Sequence, residues 1–300
     1  MNEVKILRRR LMLSVALGIM TGMASLAHAG SSGVMGTVLW DRTTHSGEAL
    51  DLTGYVQTFD DDFNSLDVTS GACCANWYGP VRPPTGIERV VAPSPNGNAN
   101  YFLARPGILT IRALKQSDGT YTSGVMQTVN AADQGWTQRK GYFEMRAMMP
   151  QGANAWPAFL LHSRARLAPY RTTNTETDII EWYSNDPRGL HQTVHLWPAK
   201  YPQPGEPTAH TYNSNYVGHD AARVDQGYHT YGCLIRDDLV IMYFDRKELA
   251  RYPISQFPQF LAPVYMVLDL AVQGKTGTPD TLDFTIDYVR AWAAPASTSQ

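Results

Sequence analysis

Three carboxylates crowd one short run, Glu176-Thr177-Asp178-Ile179-Ile180-Glu181-Trp182. A solvated face accounts for one or two acids, but not for acids interleaved with Ile179 and Ile180, which favour a core. Clustered like charges cost stability and raise one another's pKa, so a compensating function is expected. In a regular strand Glu176 and Asp178 share a face, whereas Glu181, three residues on, points the other way. As a helix the run would put Glu176 and Glu181 about 140° apart, at ~100° per residue. A one-residue bulge near Ile179–Ile180 returns Glu181 to the face of the other two. The spacing therefore predicts a bulged strand.

Two carboxyl groups ~5–5.5 Å apart are the apparatus of retaining glycoside hydrolysis, and ~6.5–9.5 Å apart that of the inverting reaction. In the retaining case one carboxylate attacks the anomeric carbon. The other protonates the leaving oxygen and later deprotonates water. The acid must hold its proton near neutral pH, which a second nearby carboxylate promotes. A third acid, Asp178, is placed to tune the nucleophile.

Such a constellation needs a rigid support, and the rest of the chain reads as one. Of 300 residues 43% are hydrophobic and only 17% charged, with 7 Trp, 16 Tyr and 9 Phe. The low charge argues against long helices or coiled coils. Gly and Pro number 24 and 19, too few for low-complexity disorder and enough for many turns. Short β-patterned runs separated by turn signals are predicted at Ile108–Leu114, Tyr121–Val129, Gly141–Met149, Ala158–His162, Glu176–Trp182, His191–Leu196, Tyr228–Ile235, Leu239–Asp245, Val264–Val272 and Leu282–Trp292. In Gly141–Met149 the residues Phe143, Met145 and Ala147 alternate with Glu144, Arg146 and Met148, the pattern of a half-buried strand. No sustained 3.6-residue period appears, so the expected fold class is all-β, an antiparallel β-sandwich or barrel. Residues 72–100, 164–175 and 198–226 read as long rim loops, where function is often carried.

The N-terminus reads as an export signal. Lys5 and Arg8–Arg10 precede an apolar stretch from Leu11 to Leu26, and Ala27-His28-Ala29 forms an A-x-A cleavage site before Gly30. An uncleaved anchor is the alternative reading. The boundaries are then a signal peptide at 1–29, a flexible leader at 30–55, one catalytic-size domain at 56–293 and a C-terminal tail at 294–300. Cleavage would remove Lys5, Arg8, Arg9, Arg10 and Glu3, moving the formal charge from −2 to −5. That is no electrostatic footprint for nucleic acid or an anionic membrane, and a neutral or weakly charged partner is expected. The location implied is secreted or periplasmic, with no membrane contact in the mature form, and a monomer is expected. The three cysteines, Cys73, Cys74 and Cys233, leave at least one thiol unpaired. A bridge from Cys73 or Cys74 to Cys233 and a buried free Cys233 are both open. No Cys-x-x-Cys accompanies them, and the pair His191 and His195 lacks an evident third ligand, so no metal site is read from spacing.

The acidic run Glu176-x-Asp178-x-x-Glu181 resembles the signature of glycoside hydrolase family 16. Further blocks follow in the family's order. Phe59-Asp60-Asp61-Asp62-Phe63-Asn64 is similar to its first strand, and Gly107–Ile111 and Tyr121–Gly124 to its early strands. Gly141-Tyr142-Phe143-Glu144-Met145-Arg146 with Trp156-Pro157-Ala158-Phe159 resembles its GxFExR…WPAFW block. Thr193-Val194-His195, His229–Tyr231, Tyr243–Asp245, Leu268–Val272 and Asp287–Arg290 complete the set. The resemblance implies a concanavalin-like jelly roll with an open concave cleft, and an endo-acting, retaining hydrolase of β-linked polysaccharide. It implies Glu176 as nucleophile, Asp178 as its assistant and Glu181 as acid/base. Trp156 would stack on a sugar near the cleavage point, and His195 would bind substrate or Asp178. Asp287 matches a position that holds a structural calcium in some members, although no cofactor is required for the reaction. The partner implied is a polysaccharide: a β-1,3- or β-1,3-1,4-glucan or a bacterial exopolysaccharide, with agar or carrageenan as alternatives. Trp182 reads as core, while Trp77, Tyr78 and Trp136 fit either outer subsites or packing. Thr177, Tyr142, Asp269, Gln273 and Ile235 depart from the common pattern and weigh against plain laminarin. The competing readings are a lectin-like sandwich without catalysis, and a structural surface protein that leaves the acid cluster unexplained.

Overall fold

The computed structural model describes residues 48–69, 71, 73–79, 84–167, 172–202, 204, 206–218 and 224–295. The expected signal peptide, most of the leader and the end of the tail lie outside these residues. Within them the chain is almost entirely strand: β1 (Val56–Asp61), β2 (Val68–Thr69), β3 (Trp77–Tyr78), β4 (Arg89–Val91), β5 (Tyr101–Arg105), β6 (Ile108–Lys115), β7 (Tyr121–Gln127), β8 (Gly141–Met148), β9 (Ala155–Ser163), β10 (Asn174–Glu181), β11 (Gly189–Trp197), β12 (Thr211–Gly218), β13 (His229–Ile235), β14 (Leu239–Phe244), β15 (Lys247–Pro253), β16 (Val264–Val272) and β17 (Thr281–Ala293). Short 3-10 turns occupy Arg164–Arg166 and Pro258–Leu261. No described helix is long and apolar enough to cross a membrane.

The strands form two faces of a sandwich. One runs β15-β14-β13-β8-β17, with β1 and β6 sharing the far edge of β17 and β5 beside β6. The other runs β12-β11-β10-β9-β16-β7-β3-β2. Strand β7 belongs to both: Tyr121 and Thr122 pair with β6, and Val125 to Gln127 pair with β16. Pairing is antiparallel except for the short contacts β2–β3 and β4–β7.

Period-two alternation sends one side of each strand into the space between the sheets. Phe143, Met145 and Ala147 of β8, Phe159 and Leu161 of β9, Ile179 and Ile180 of β10, and Met266, Leu268 and Leu270 of β16 join one buried core. Burying each large aliphatic or aromatic side chain contributes about 1.5–3 kcal/mol. That core holds the second sheet rigid beneath its outward side.

Three expectations change here. Strand β8 is covered on both faces: Tyr142 and Glu144 are as buried as Phe143. Tyr142 packs with Leu234, Ile241 and Tyr243 under Leu50, Leu52, Tyr55 and Trp292. Residues 48–55, read from sequence as leader, thus lie against this sheet, and Ala49 bridges to Lys247. The Tyr142 hydroxyl reaches Glu144 across Gly232, where a Cβ would collide with the phenol. Secondly, the expected loop 198–226 contains β12, paired residue for residue along β11. Its sequence, Thr-Tyr-Asn-Ser-Asn-Tyr-Val-Gly, carries no apolar alternation because it is an edge strand with polar residues on both sides. Thirdly, Cys73 and Cys74 are bonded to each other, a pairing not expected from the sequence; of the two alternatives for Cys233 the buried free thiol is the one found, in the core, where burial pushes its pKa up. Trp77 and Tyr78 are also fully buried, and Trp77 donates to Asp61 at 2.8 Å. Trp136 packs on Phe59 and Phe143. All three aromatics are packing residues.

Candidate active site

Strand β10 lies between β9 and β11. Glu176 faces His162 on one side and His195 on the other, and Asp178 faces Leu160 and Thr193. The register then slips by one residue, so that Glu181 sits opposite Ala158 and His191. The slip is the bulge expected from the acid spacing. It turns Ile179, Ile180 and Trp182 into the core and leaves Glu176, Asp178 and Glu181 on the opposite, outward face of the sheet.

The three acids have distinct partners. Glu176 Oε2 accepts hydrogen bonds from Trp197 Nε1 at 2.7 Å and Arg166 Nη1 at 3.2 Å. Its Oε1 lies 3.8 Å from His162 Nε2. Burial alone would raise the Glu176 pKa. The positive charge of Arg166, the fields that His162 and His195 exert when protonated, and the Trp197 N–H outweigh it and hold the group well below the usual carboxylate range. Asp178 Oδ2 meets His195 Nε2 at 2.9 Å. Glu181 Oε1 accepts from Trp156 Nε1 at 3.0 Å and the Tyr183 hydroxyl at 3.2 Å. Burial and then the neighbouring Asp178 charge push the Glu181 pKa up to about 7, against those two donors and the field of His195. The surroundings therefore push two glutamates on one strand in opposite directions, Glu176 down and Glu181 up.

Aromatic rings extend from the acids across the sheet. Trp156, Tyr183, His191 and Tyr216 form one chain, with successive centroids 5.2, 4.8 and 5.0 Å apart. Gly189 makes room for the Tyr216 ring, since a Cβ there would collide with it. Trp197, His210 and Tyr212 form a second chain beside Glu176. Tyr212 and Tyr216 end these chains as exposed rings on β12.

Each expected site residue is accounted for. Glu176, Asp178, Glu181, Trp156 and His195 converge on one face. Asp287 does not join them. It sits at a register slip in β17, and its carboxylate is paired with Arg146. Calcium takes six to eight oxygen ligands. No group of three or more His, Cys, Asp and Glu side chains suited to a metal occurs among the described residues. With a guanidinium already on Asp287, the residues present do not fit that expectation. Sequence reasoning missed Arg166, His162, Trp197, Tyr183 and His210. Two were readable from period two: Trp197 shares a face with His195, and His162 with Trp156. Arg166 and His210 lie outside any strand and carry no such signal.

The profile of the Glycosyl hydrolases family 16 matches residues 106–290, a span that includes all three acids. The chain belongs to family 16. It is 33% identical over 280 residues to the endo-1,3-1,4-beta-glycanase EglC of Rhizobium meliloti, covering 83% of this chain and 54% of that protein. A second Rhizobium meliloti endo-1,3-1,4-beta-glycanase, ExsH, is 33% identical over 274 residues with the same shares covered. The chain thus spans about half the length of these curated relatives. Among solved structures, the catalytic domain of a laminarinase from Thermotoga petrophila superposes with a TM-score of 0.60 at 20% identity, covering 80% of this chain and 98% of that one. A Bacteroides ovatus family 16 protein of a mixed-linkage glucan locus superposes at 0.62 with 20% identity, covering 78% of this chain and 99% of that one. These likenesses establish the sandwich fold of the family 16 domain.

Proposed function

We propose that this protein is a retaining endo-β-glycanase that cleaves a β-linked glucan or related exopolysaccharide. The observation that carries the reading is the convergence of Glu176, Asp178 and Glu181 on one face of a bulged strand, with Glu176 held by Trp197 and Arg166 and Glu181 by Trp156 and Tyr183. Glu176, charged and held by Trp197 and Arg166, attacks the anomeric carbon. Glu181, carrying its proton at neutral pH, gives it to the departing oxygen. Once Glu176 is esterified its charge is gone, and Glu181 accepts a proton from the water that releases the sugar. His195 holds Asp178, and Asp178 keeps the Glu181 proton in place by its charge. Trp156 offers a half-buried indole beside Glu181 for the apolar face of a pyranose. Two carboxyl groups and water are sufficient for this chemistry. The similarity to the two Rhizobium glycanases favours a substrate with β-1,3 and β-1,4 linkages. The basic, apolar and A-x-A pattern of residues 1–29 supports export.

The test is hydrolysis of mixed-linkage β-glucan, laminarin and bacterial exopolysaccharide, with product sizing and NMR of the first-formed anomer. The β-anomer should appear first, and Glu176→Gln and Glu181→Gln should each remove nearly all turnover while remaining folded. Near-wild-type turnover in either variant, or an initial α-anomer, overturns the assignment.

A further inference from the structure

The hydrogen-bonded line from Asp178 does not stop at His195. His195 Nε2 faces the Asp178 carboxylate, and its Nδ1 lies 2.9 Å from His210 Nε2. His210 sits just before β12 and lies flat on Trp197, with centroids 3.6 Å apart and planes 2° apart. Trp197 is the residue that donates to Glu176. One imidazole thus touches both supports of the acid cluster, the histidine behind Asp178 and the indole behind Glu176.

A carboxylate only accepts, so the His195 proton resides on Nε2. In the neutral ring Nδ1 is then an acceptor, and His210 Nε2–H is its donor. We propose that His210 is a positioning residue for the hydrolytic site: it holds His195 in the neutral Nε2–H tautomer and clamps the Trp197 ring against Glu176. This rests on the assignment of Glu176, Asp178 and Glu181 made above.

The charged and titratable groups around the pair set the direction of the effect. From β10, Glu176, Asp178 and Glu181 face His195 and favour its protonation. Arg166, from the turn before β10, disfavours it, and His162 stands behind Glu176 on β9. Burial lowers the pKa of His195 first and foremost, and also that of His210. With both rings neutral, one proton lies between them. Without the His210 donor, His195 Nδ1 is free to take a second proton from water. An imidazolium beside Glu176 would blunt the nucleophile and draw the Glu181 proton off at lower pH. The bell of kcat/KM against pH should then narrow from both sides.

The experiment compares the wild type with His210→Phe, which keeps a flat ring on Trp197 without a donor, and His210→Gln, which restores one. For His210→Phe the acid limb of kcat/KM should rise by about half to one unit, the worth of one hydrogen bond. Turnover kcat should fall by roughly three- to tenfold, with KM within about twofold, since the group acts on reacting residues and not on sugar. His210→Gln should bring the acid limb back toward wild type. A second readout needs no substrate: 15N NMR of histidine-labelled protein, in which the His195 titration should move to higher pH in His210→Phe alone. A wild-type pH profile together with an unmoved His195 titration overturns the proposal. Activity retained in Glu176→Gln would overturn the functional assignment instead, and the His195 titration would still decide the tautomer.

Discussion

Replacing Glu181 by glutamine should abolish turnover and, above neutral pH, make the protein more stable. In the fold Glu181 keeps its proton up to about pH 7, against an ordinary value of 4.5 in the unfolded chain. Between those two values unfolding releases a proton. Stability therefore falls as pH rises through the window and stays low above it. A shift of roughly two and a half units, at about 1.4 kcal/mol per unit, places the cost of the ionised, buried Glu181 at about 3 kcal/mol. Glutamine fills the same space, accepts from Trp156 Nε1 and the Tyr183 hydroxyl through its carbonyl, and never ionises. For a domain of this size each kcal/mol moves the melting midpoint by roughly 2–4 °C. The assay is thermal unfolding of wild type and Glu181→Gln at pH 4 and pH 8. The variant's advantage should be about 6–12 °C larger at pH 8 than at pH 4. Using the difference between the two pH values cancels any fixed packing change. It also largely cancels the opposite trend from Glu176, which both proteins share. An advantage that is equal at the two pH values, or greater at pH 4, would refute burial and Asp178 as the source of the raised Glu181 pKa.

The same balance makes opposite predictions for two of its neighbours. Tyr183→Phe removes a donor to ionised Glu181 and should move the alkaline limb of kcat/KM up by about half a unit. Asp178→Asn removes a like charge and should move it down, provided residual activity permits the profile to be measured. On the opposite sheet, Arg246 donates to both oxygens of the fully buried Glu144, at 2.8 and 2.9 Å. Arg246→Met should cost about 3–5 kcal/mol in a urea titration, because it strips the charged partner from a buried carboxylate. It should leave the pH profile of turnover unmoved.

Much of the site could be read directly from residue order. The bulge in β10 followed from a contradiction between acid spacing and apolar content that only one strand geometry resolves. Trp182 read as core for the same reason, since a residue next to an outward Glu181 must turn inward. Strand β12 was not legible, because an edge strand lined with Asn, Ser and Thr lacks the alternation that burial imposes. The double covering of β8 was equally hidden. Glu144 looks like a solvent-facing acid until Tyr142, its neighbour on β8, is joined over it by Tyr288 of β17 and Arg246 of the turn between β14 and β15. Arg166 and His210 were missed because a turn residue's direction is set by the path of the chain rather than by any period. Long-range encounters of this kind leave no local trace, whereas strand faces do.

The slipped register at Ile179–Ile180 also bears on how such a strand can change length. With Glu181 three residues after Asp178 and a bulge between them, all acids share a face. Delete one of the two isoleucines and the bulge together, and the spacing becomes two, which in a regular strand puts them on the same face again. The chemistry is blind to that one-residue change. The interior is not, since both isoleucines are fully buried and one would be lost from the packed layer. A one-residue change at this point would thus be felt by the hydrophobic interior, while the three acids keep a common face at both strand lengths.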